Sequence, residues 1–114
     1  MASASPDARL GLLQGTLDLL ILRTLEGEAR HGWSISERIE DRSSGVLQAN
    51  QGSLYPALHR MEHRGWVKAE WRNSELGRRA RYYRLTAAGR RQLELETGKW
   101  RRFAAAVSGV LEGA

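Results

Sequence analysis

The stretch Asn50-Gln-Gly-Ser-Leu-Tyr-Pro-Ala-Leu-His-Arg-Met-Glu-His-Arg-Gly65 decides the fold, because its pattern predicts a short helix with two unlike faces. Apolar residues at positions i, i+4 and i+7 predict a buried stripe of Leu54, Leu58 and Met61. Asn50 or Ser53 suits the N-cap, since both side chains can accept a hydrogen bond from a free backbone N–H. Gly65 is a typical residue to end such a helix.

The opposite side of this helix is polar and positively charged, and it needs no burial. It holds Ser53, Pro56, His59, Arg60 and His63, with Tyr55 and Arg64 on its flanks. The unpaired N–H groups and positive dipole end at its N-terminus also suit an anion. We call this predicted element the presenting helix.

A basic hairpin is predicted directly after the presenting helix. Residues 66–72 and 80–85 are rich in aromatic residues with alternating charge, which is typical of strands. The loop 73–79 between them is longer than the commonest hairpin turns, so we expect a mobile wing. An amphipathic helix joined by a loop to the helix before it, and followed by a basic hairpin, predicts a winged helix-turn-helix.

Length and composition indicate one small globular domain. The 114 residues include 41% hydrophobic and 27% charged residues and no cysteine, which excludes disulfides and thiol catalysis. The longest apolar run, Leu19–Leu22, is far too short to cross a membrane, and no signal-peptide pattern is present, so we expect a cytoplasmic protein. The net charge of +5 is uneven: residues 1–50 carry −2, residues 51–84 carry +5 and residues 85–114 carry +2. Such a concentration of charge is typical of a nucleic-acid footprint, although a charge run is more often a solvated face.

Two further helices are predicted before the presenting helix. The first lies within residues 10–25, with Thr16 as its N-cap, and it is apolar on two sides, which requires two packing partners. The second begins at His31-Gly32 and runs to about Arg42, with Trp33, Ile35 and Ile39 on its buried side.

A long last helix is predicted from Ala87 to about Glu112, with Thr86 as its N-cap. Five of its six heptad a and d positions are apolar, the exception being Glu96; the apolar ones are Leu93, Trp100, Phe103, Val107 and Val110. This stripe favours a homodimer seam. Packing of the stripe on the first helix of the same chain is the alternative, and both contacts can coexist.

These features together resemble the PadR family of bacterial transcriptional regulators. The resemblance covers residues 13 to about 106 and rests on four motifs in order: Gly15-Thr-Leu-Asp-Leu-Leu-Ile-Leu22, His31-Gly-Trp33, Gln51-Gly-Ser-Leu-Tyr-Pro-Ala-Leu58 and Arg81-Tyr-Tyr-Arg-Leu-Thr-Ala-Ala-Gly89. The chain is similar to the branch with a single C-terminal helix. The resemblance implies a mainly α winged-helix fold with a small hairpin. Together with the small, polar residues at the start of the chain, it leads us to expect a flexible tail 1–9, a DNA-binding domain 10–85 and a dimerisation helix 86–114.

The resemblance also implies a function. Such proteins are dimers that usually repress genes from inverted-repeat operators and release the DNA when a small molecule binds. By position, the residues that meet DNA are Gln51, Ser53, Tyr55, His59 and Arg60 on the presenting helix and Arg78, Arg79 and Arg81 on the wing. Trp100 matches a tryptophan that stacks on planar, aromatic ligands at the dimer interface of some relatives; the other reading of Trp100 is a plain seam residue.

An enzyme is not predicted, because the sequence has no phosphate-binding glycine loop, no acid pair at a helical spacing with a plausible cleft and no nucleophile elbow. His59 and His63 have a spacing compatible with a metal, but no third ligand is evident, so no metal or other cofactor is expected. The remaining alternative to sequence-specific DNA binding is a winged helix that serves as a protein-interaction or architectural module without an inducer.

Overall fold

The computed structural model describes residues 13–113, which form four helices and a small sheet. The elements are α1 (Gln14–Thr24), β1 (Arg30–His31), α2 (Gly32–Arg42), α3 (Gln51–His63), β2 (Val67–Asn73), β3 (Arg79–Leu85) and α4 (Ala87–Glu112). The predicted mainly α fold with a hairpin and a long last helix is confirmed. The predicted tail 1–9 lies outside the described residues.

A single hydrophobic core joins α1, α2, α3, the hairpin and the start of α4. The predicted stripe of α3 is confirmed, since Leu54, Leu58 and Met61 are fully buried. Ile35 and Ile39 of α2 are buried, as predicted. Trp33 is 60% exposed, so the prediction that it is buried is wrong. The reason is the period of the helix: Ile35 and Ile39 are four residues apart, and Trp33, two residues before Ile35, points to the opposite side.

Helix α1 begins two residues earlier than its predicted cap. The backbone N–H of Leu17 donates to the carbonyl of Leu13 at 2.9 Å, and Leu13 occupies the N-cap position without a side-chain hydrogen bond. The prediction of Thr16 as N-cap is therefore wrong, and Thr16 lies inside the helix. Helix α1 packs against α2, α3 and α4, which supplies partners for its two apolar sides within one chain.

The sheet has three antiparallel strands in the order β1-β3-β2. The predicted hairpin is confirmed, with Val67 opposite Leu85 at its base and Asn73 opposite Arg79 at its tip. The sequence did not predict β1, because its two residues form a strand only through pairing with Tyr82 and Tyr83 of β3. No helix within residues 13–113 has the length and apolar character needed to span a membrane.

The start of α4 is fixed tightly against the end of α3. Thr86 is the N-cap, as predicted: its hydroxyl accepts from the Gly89 N–H at 3.0 Å and donates to the Gly65 carbonyl at 2.6 Å. A Cβ at Gly89 would collide with the backbone carbonyl of Trp66, so only glycine fits this approach. Leu93, one turn further, is buried in the core of its own chain.

Candidate nucleic-acid interface

Of the two predicted N-cap candidates for α3, the structure has Asn50, and Gly65 ends the helix as predicted. The Asn50 side chain accepts from the Ser53 N–H at 3.0 Å, which caps the N-terminus. At the other end Gly65 has a φ of +78°, and its N–H donates to Glu62 while the N–H of Trp66 donates to Met61. This pair of hydrogen bonds is a Schellman motif, which satisfies the last carbonyls and turns the chain into β2.

The side of α3 opposite its buried stripe is exposed, as predicted. We call this surface the polar face of α3; it comprises Gln51, Ser53, Tyr55, Pro56, His59 and His63. Pro56 lies in the second turn and is also exposed. The Gln51 amide nitrogen donates to the Ser36 hydroxyl of α2 at 3.2 Å. The Gln51 amide oxygen accepts no hydrogen bond from residues 13–113. The polar face therefore offers hydrogen-bond donors and acceptors to another molecule.

Tyr55 combines a packed ring with a partly exposed position. Its side chain lies so close to Gly32, the first residue of α2, that a Cβ there would stand 2.5 Å from the tyrosine oxygen. Tyr55 is nevertheless 45% exposed. Its ring thus joins the start of α2 to α3 while part of it stays available at the surface.

The wing turns at a shorter loop than the sequence predicts. Strand pairing continues to Asn73 and Arg79, which leaves residues 74–78 as the turn. The Ser74 N–H donates to the Arg78 carbonyl at 2.6 Å, and the Gly77 N–H donates to the Ser74 carbonyl at 2.9 Å. Because side chains alternate along a strand, Arg79 and Arg81 share one face of the hairpin with Trp71 of β2.

The three wing arginines differ in their surroundings. Arg78 is exposed and has no side-chain partner among residues 13–113. The Arg79 guanidinium lies over the Trp71 ring, 5.7 Å from its centroid. Arg81 forms an ion pair with Glu62 of α3 at 2.7 Å, so its charge is already partly balanced and the hairpin is tied to α3.

A cleft separates the wing from the starts of α2 and α3. Its volume is about 540 Å³, and its lining includes Trp33, Tyr55, Leu76, Arg78 and Arg81. Trp33 belongs to this surface rather than to the core. The sequence reasoning missed it, although its position off the stripe of Ile35 and Ile39 was a readable signal.

Arg60 does not lie with the other predicted DNA-facing residues. Its guanidinium pairs with Asp18 of α1, with 3.0 Å between Arg60 Nη2 and Asp18 Oδ1. The two side chains are 33% and 14% exposed. Of the predicted DNA-facing residues, Tyr55 and the three wing arginines thus line one cleft, whereas Arg60 lies at the contact between α1 and α3.

The second half of α4 carries an uncovered apolar stripe. Trp100, Phe103, Val107 and Val110 are all exposed in the single chain, and Trp100 and Phe103 have ring centroids 6.0 Å apart. Leu93, the first residue of the predicted seam, is instead buried in the core of its own chain.

Within the described part of the chain, no three His, Cys, Asp or Glu side chains are grouped as metal ligands.

Comparison with known proteins gives the family. The model of the transcriptional regulator PadR-like family matches residues 21–95. A solved PadR family transcription regulator from Clostridium difficile R20291 is 32% identical, with a TM-score of 0.72 over 83% of this chain and 97% of that one. A PadR-like transcriptional regulator from Bacillus cereus is 28% identical, with a TM-score of 0.76 over 90% of this chain and 97% of that one.

Two further relatives agree over similar lengths. A Streptococcus mutans UA159 protein has a TM-score of 0.81 at 26% identity, covering 91% of this chain and 93% of that one. An uncharacterised protein of Lysinibacillus sphaericus is 29% identical over 92 residues, which is 81% of this chain and 84% of the relative. From its sequence match and its fold, the chain belongs to the PadR-like family of transcriptional regulators, which makes it a DNA-binding regulator rather than an enzyme.

Proposed function

We propose that the protein is a sequence-specific repressor that binds an inverted-repeat operator as a homodimer. The observation that carries this proposal is that the polar face of α3 and the three wing arginines are all exposed, and that Tyr55 of this face lines one cleft together with those arginines. A helix in the major groove reads base edges, while contacts to phosphates supply affinity without sequence information.

Each group of residues has its own role in this proposal. Gln51, Ser53 and His59 contact base edges, because they are exposed polar side chains on one face of a capped helix. Tyr55 sets the register on the DNA backbone.

The wing supplies the phosphate contacts through Arg78, Arg79 and Arg81. Arg78 is the strongest candidate, since no described side chain competes for its charge. Trp33 adds apolar surface beside these contacts. Arg60 is left out of the contact set, because its guanidinium is already paired with Asp18.

The homodimer is supported by the uncovered stripe of α4. Phe103 is 62% exposed and Val110 is 81% exposed in the single chain, and a second copy of α4 would cover both. A twofold axis through this seam relates the two copies of α3, so the two half-sites are expected about one DNA turn apart, roughly 34 Å.

A small planar, aromatic effector is part of the same proposal. Trp100 lies on the stripe beside Phe103, so a ligand stacked there would contact the seam. Such a ligand changes DNA affinity only if it binds one subunit arrangement better than another. Quenching of tryptophan fluorescence by aromatic compounds, abolished by Trp100→Ala, is the expected result. Quenching that Trp100→Ala leaves unchanged would remove Trp100 from the effector site.

The experiment that tests the proposal is selection of genomic DNA fragments by the purified protein, followed by footprinting. Fragments that share an inverted repeat, with two protected half-sites one turn apart, are the expected result. Selection of fragments without a common sequence would instead favour an architectural or protein-interaction module.

A further inference from the structure

A single ion pair joins the helix that packs on α4 to the helix proposed to meet DNA. Asp18 lies on α1 and Arg60 lies on α3, 42 positions away in sequence, and the Arg60 Nη2 donates to the Asp18 Oδ1 at 3.0 Å. With its side chain only 14% exposed, Asp18 is the least exposed carboxylate among the ion pairs of residues 13–113.

The Nε atom of Arg60 is buried. Its Nε–H has almost no accessible surface and no hydrogen-bond partner among the described residues. The next residue, Met61, is fully buried, while the preceding residue, His59, belongs to the polar face of α3. The Arg60 guanidinium is already engaged with Asp18 through Nη2, whereas Arg78 of the wing has no side-chain partner among residues 13–113.

Charges from three helices meet at Asp18. Burial raises the pKa of its carboxyl above the ordinary value, and the charge of Arg60 acts in the opposite direction. Arg64, directly after α3, also lowers this pKa, and Glu96 of α4 raises it. Glu96 is held within α4 by a hydrogen bond from Gln92 at 2.7 Å and lies 3.9 Å from the Lys99 ammonium, and α4 itself packs against α1, the helix that carries Asp18.

The energetics of this pair favour a geometric role over a stabilising one. The effect of burial on Asp18 exceeds the opposing effect of Arg60, so the attraction does not fully offset the loss of hydration. A partly buried pair of this kind adds little net stability, but removing one member leaves the other without a counter-ion and shifts the packing around it.

We propose that Arg60 is a positioning residue, whose ion pair with Asp18 fixes the angle of α3 on α1 and so couples the position of α4 to the polar face of α3. This inference rests on the proposed function, since it assigns Arg60 to the placement of the DNA-reading helix. Because α1 packs against both α3 and α4, a change in the α4 seam reaches α3 through this contact.

The test compares operator binding of Asp18→Asn, Arg60→Gln and the double variant over a range of salt concentrations. Each single variant breaks the same contact, so we expect each to weaken operator binding by about 2- to 30-fold. The double variant should be no weaker than the more affected single variant, because the two changes remove one interaction. The slope of log affinity against log salt should stay unchanged in all three.

The matched control is Arg23→Gln on α1, the helix that also carries Asp18. Arg23 of α1 forms an ion pair with Glu26, two residues after the end of that helix, and both side chains are exposed. The substitution removes the same charge as Arg60→Gln but breaks a surface pair, which contributes little. Operator affinity within twofold of the wild type is expected for this variant.

A direct contact between Arg60 and DNA would give different results in the same experiment. If Arg60 binds a phosphate, Arg60→Gln lowers the salt slope by about 1, and Asp18→Asn leaves operator binding unchanged or tightens it by freeing the guanidinium. Either result overturns the inference. Operator affinity unchanged in both single variants, with unfolding midpoints lowered, would reduce the pair to a structural role and also overturn it.

The failure of the inference can be told from failure of the proposed function. Wild-type protein that binds all DNA sequences equally removes the proposed function and the inference with it. Wild-type protein that prefers its operator, combined with additive losses in the double variant, removes the inference alone.

Discussion

Helices α3 and α4 are both amphipathic, but the chain covers their apolar sides to different extents. The stripe of α3 is completely buried within the chain, and a polar face remains outside. On α4 the chain buries Leu93 near the start, while the apolar residues from Trp100 onward stay exposed. A surface left polar suits a polar partner such as DNA, and a surface left apolar suits a second copy of the same helix.

The largest effect is expected where the apolar stripe is uncovered. Phe103→Glu places a charge on the proposed seam, which should give monomers in sedimentation experiments. Loss of the second subunit should lower operator affinity on the order of 100-fold or more, because the second half-site no longer binds as part of one assembly.

The matched control for this variant is Leu95→Glu. Leu95 is 60% exposed on the same helix, at a heptad position off the stripe, so the dimer should persist. Monomers from both variants would mean that any charge on α4 disrupts assembly, and dimers from both would place the seam elsewhere.

Substitutions at the start of α4, where the chain covers the helix, should change the unfolding free energy rather than the oligomeric state. Gly89→Ala forces a Cβ against the Trp66 carbonyl, where backbone must shift, so a loss of about 1–3 kcal/mol in unfolding free energy is expected. Gly98→Ala is the control on the same helix, since nothing in the chain lies within 4 Å of its Cβ. Urea unfolding that ranks Gly98→Ala below Gly89→Ala in stability would contradict this picture of the contact.

The wing tests the polar side of the comparison. Arg78→Ala and Arg79→Ala should each reduce the salt slope of DNA binding by about 1, with equal losses on operator and random sequences. Arg81→Ala should reduce it less, because Glu62 already balances that charge. An unchanged slope for all three variants would exclude the wing from the DNA contact.

The smallest effect is expected from two carboxylates whose pKa values shift in opposite directions. Burial raises the pKa of Asp18, so its contribution to stability is greatest below the ordinary pKa of 3.8 and is lost as pH rises through the folded value. The hydrogen bond from Arg72 lowers the pKa of exposed Glu70 below 4.5, so its contribution is present at higher pH and is lost as pH falls.

Difference measurements separate these two carboxylates from all other titrating groups. Relative to Asp18→Asn, the wild type should lose stability as pH rises from about 3 to 7, and relative to Glu70→Gln it should gain slightly. Urea midpoints for the three proteins across this range give the two differences. The same sign for both would contradict the assigned environments.

Sequence reasoning reached the local features and missed those that depend on distant partners. The stripe of α3 and its end at Gly65 depend on residues 50–65 alone, so the sequence predicted them, and it narrowed the N-cap to Asn50 or Ser53. Strand β1 was missed because it exists only through pairing with Tyr82 and Tyr83 of β3. The pairing of Arg60 with Asp18 was missed for the same reason, since 42 positions separate the two residues and no local pattern joins them.

The most direct test of the account is the ratio of operator affinity to random-DNA affinity for the wild type and for Gln51→Ala. The wild type should prefer its operator by on the order of 1,000-fold or more. Because Gln51 lies on the polar face of α3 and does not line the wing cleft, Gln51→Ala should lower this ratio by about 5- to 150-fold while random-DNA affinity stays nearly unchanged. Equal losses on both kinds of DNA would contradict the claim that the polar face of α3 reads sequence.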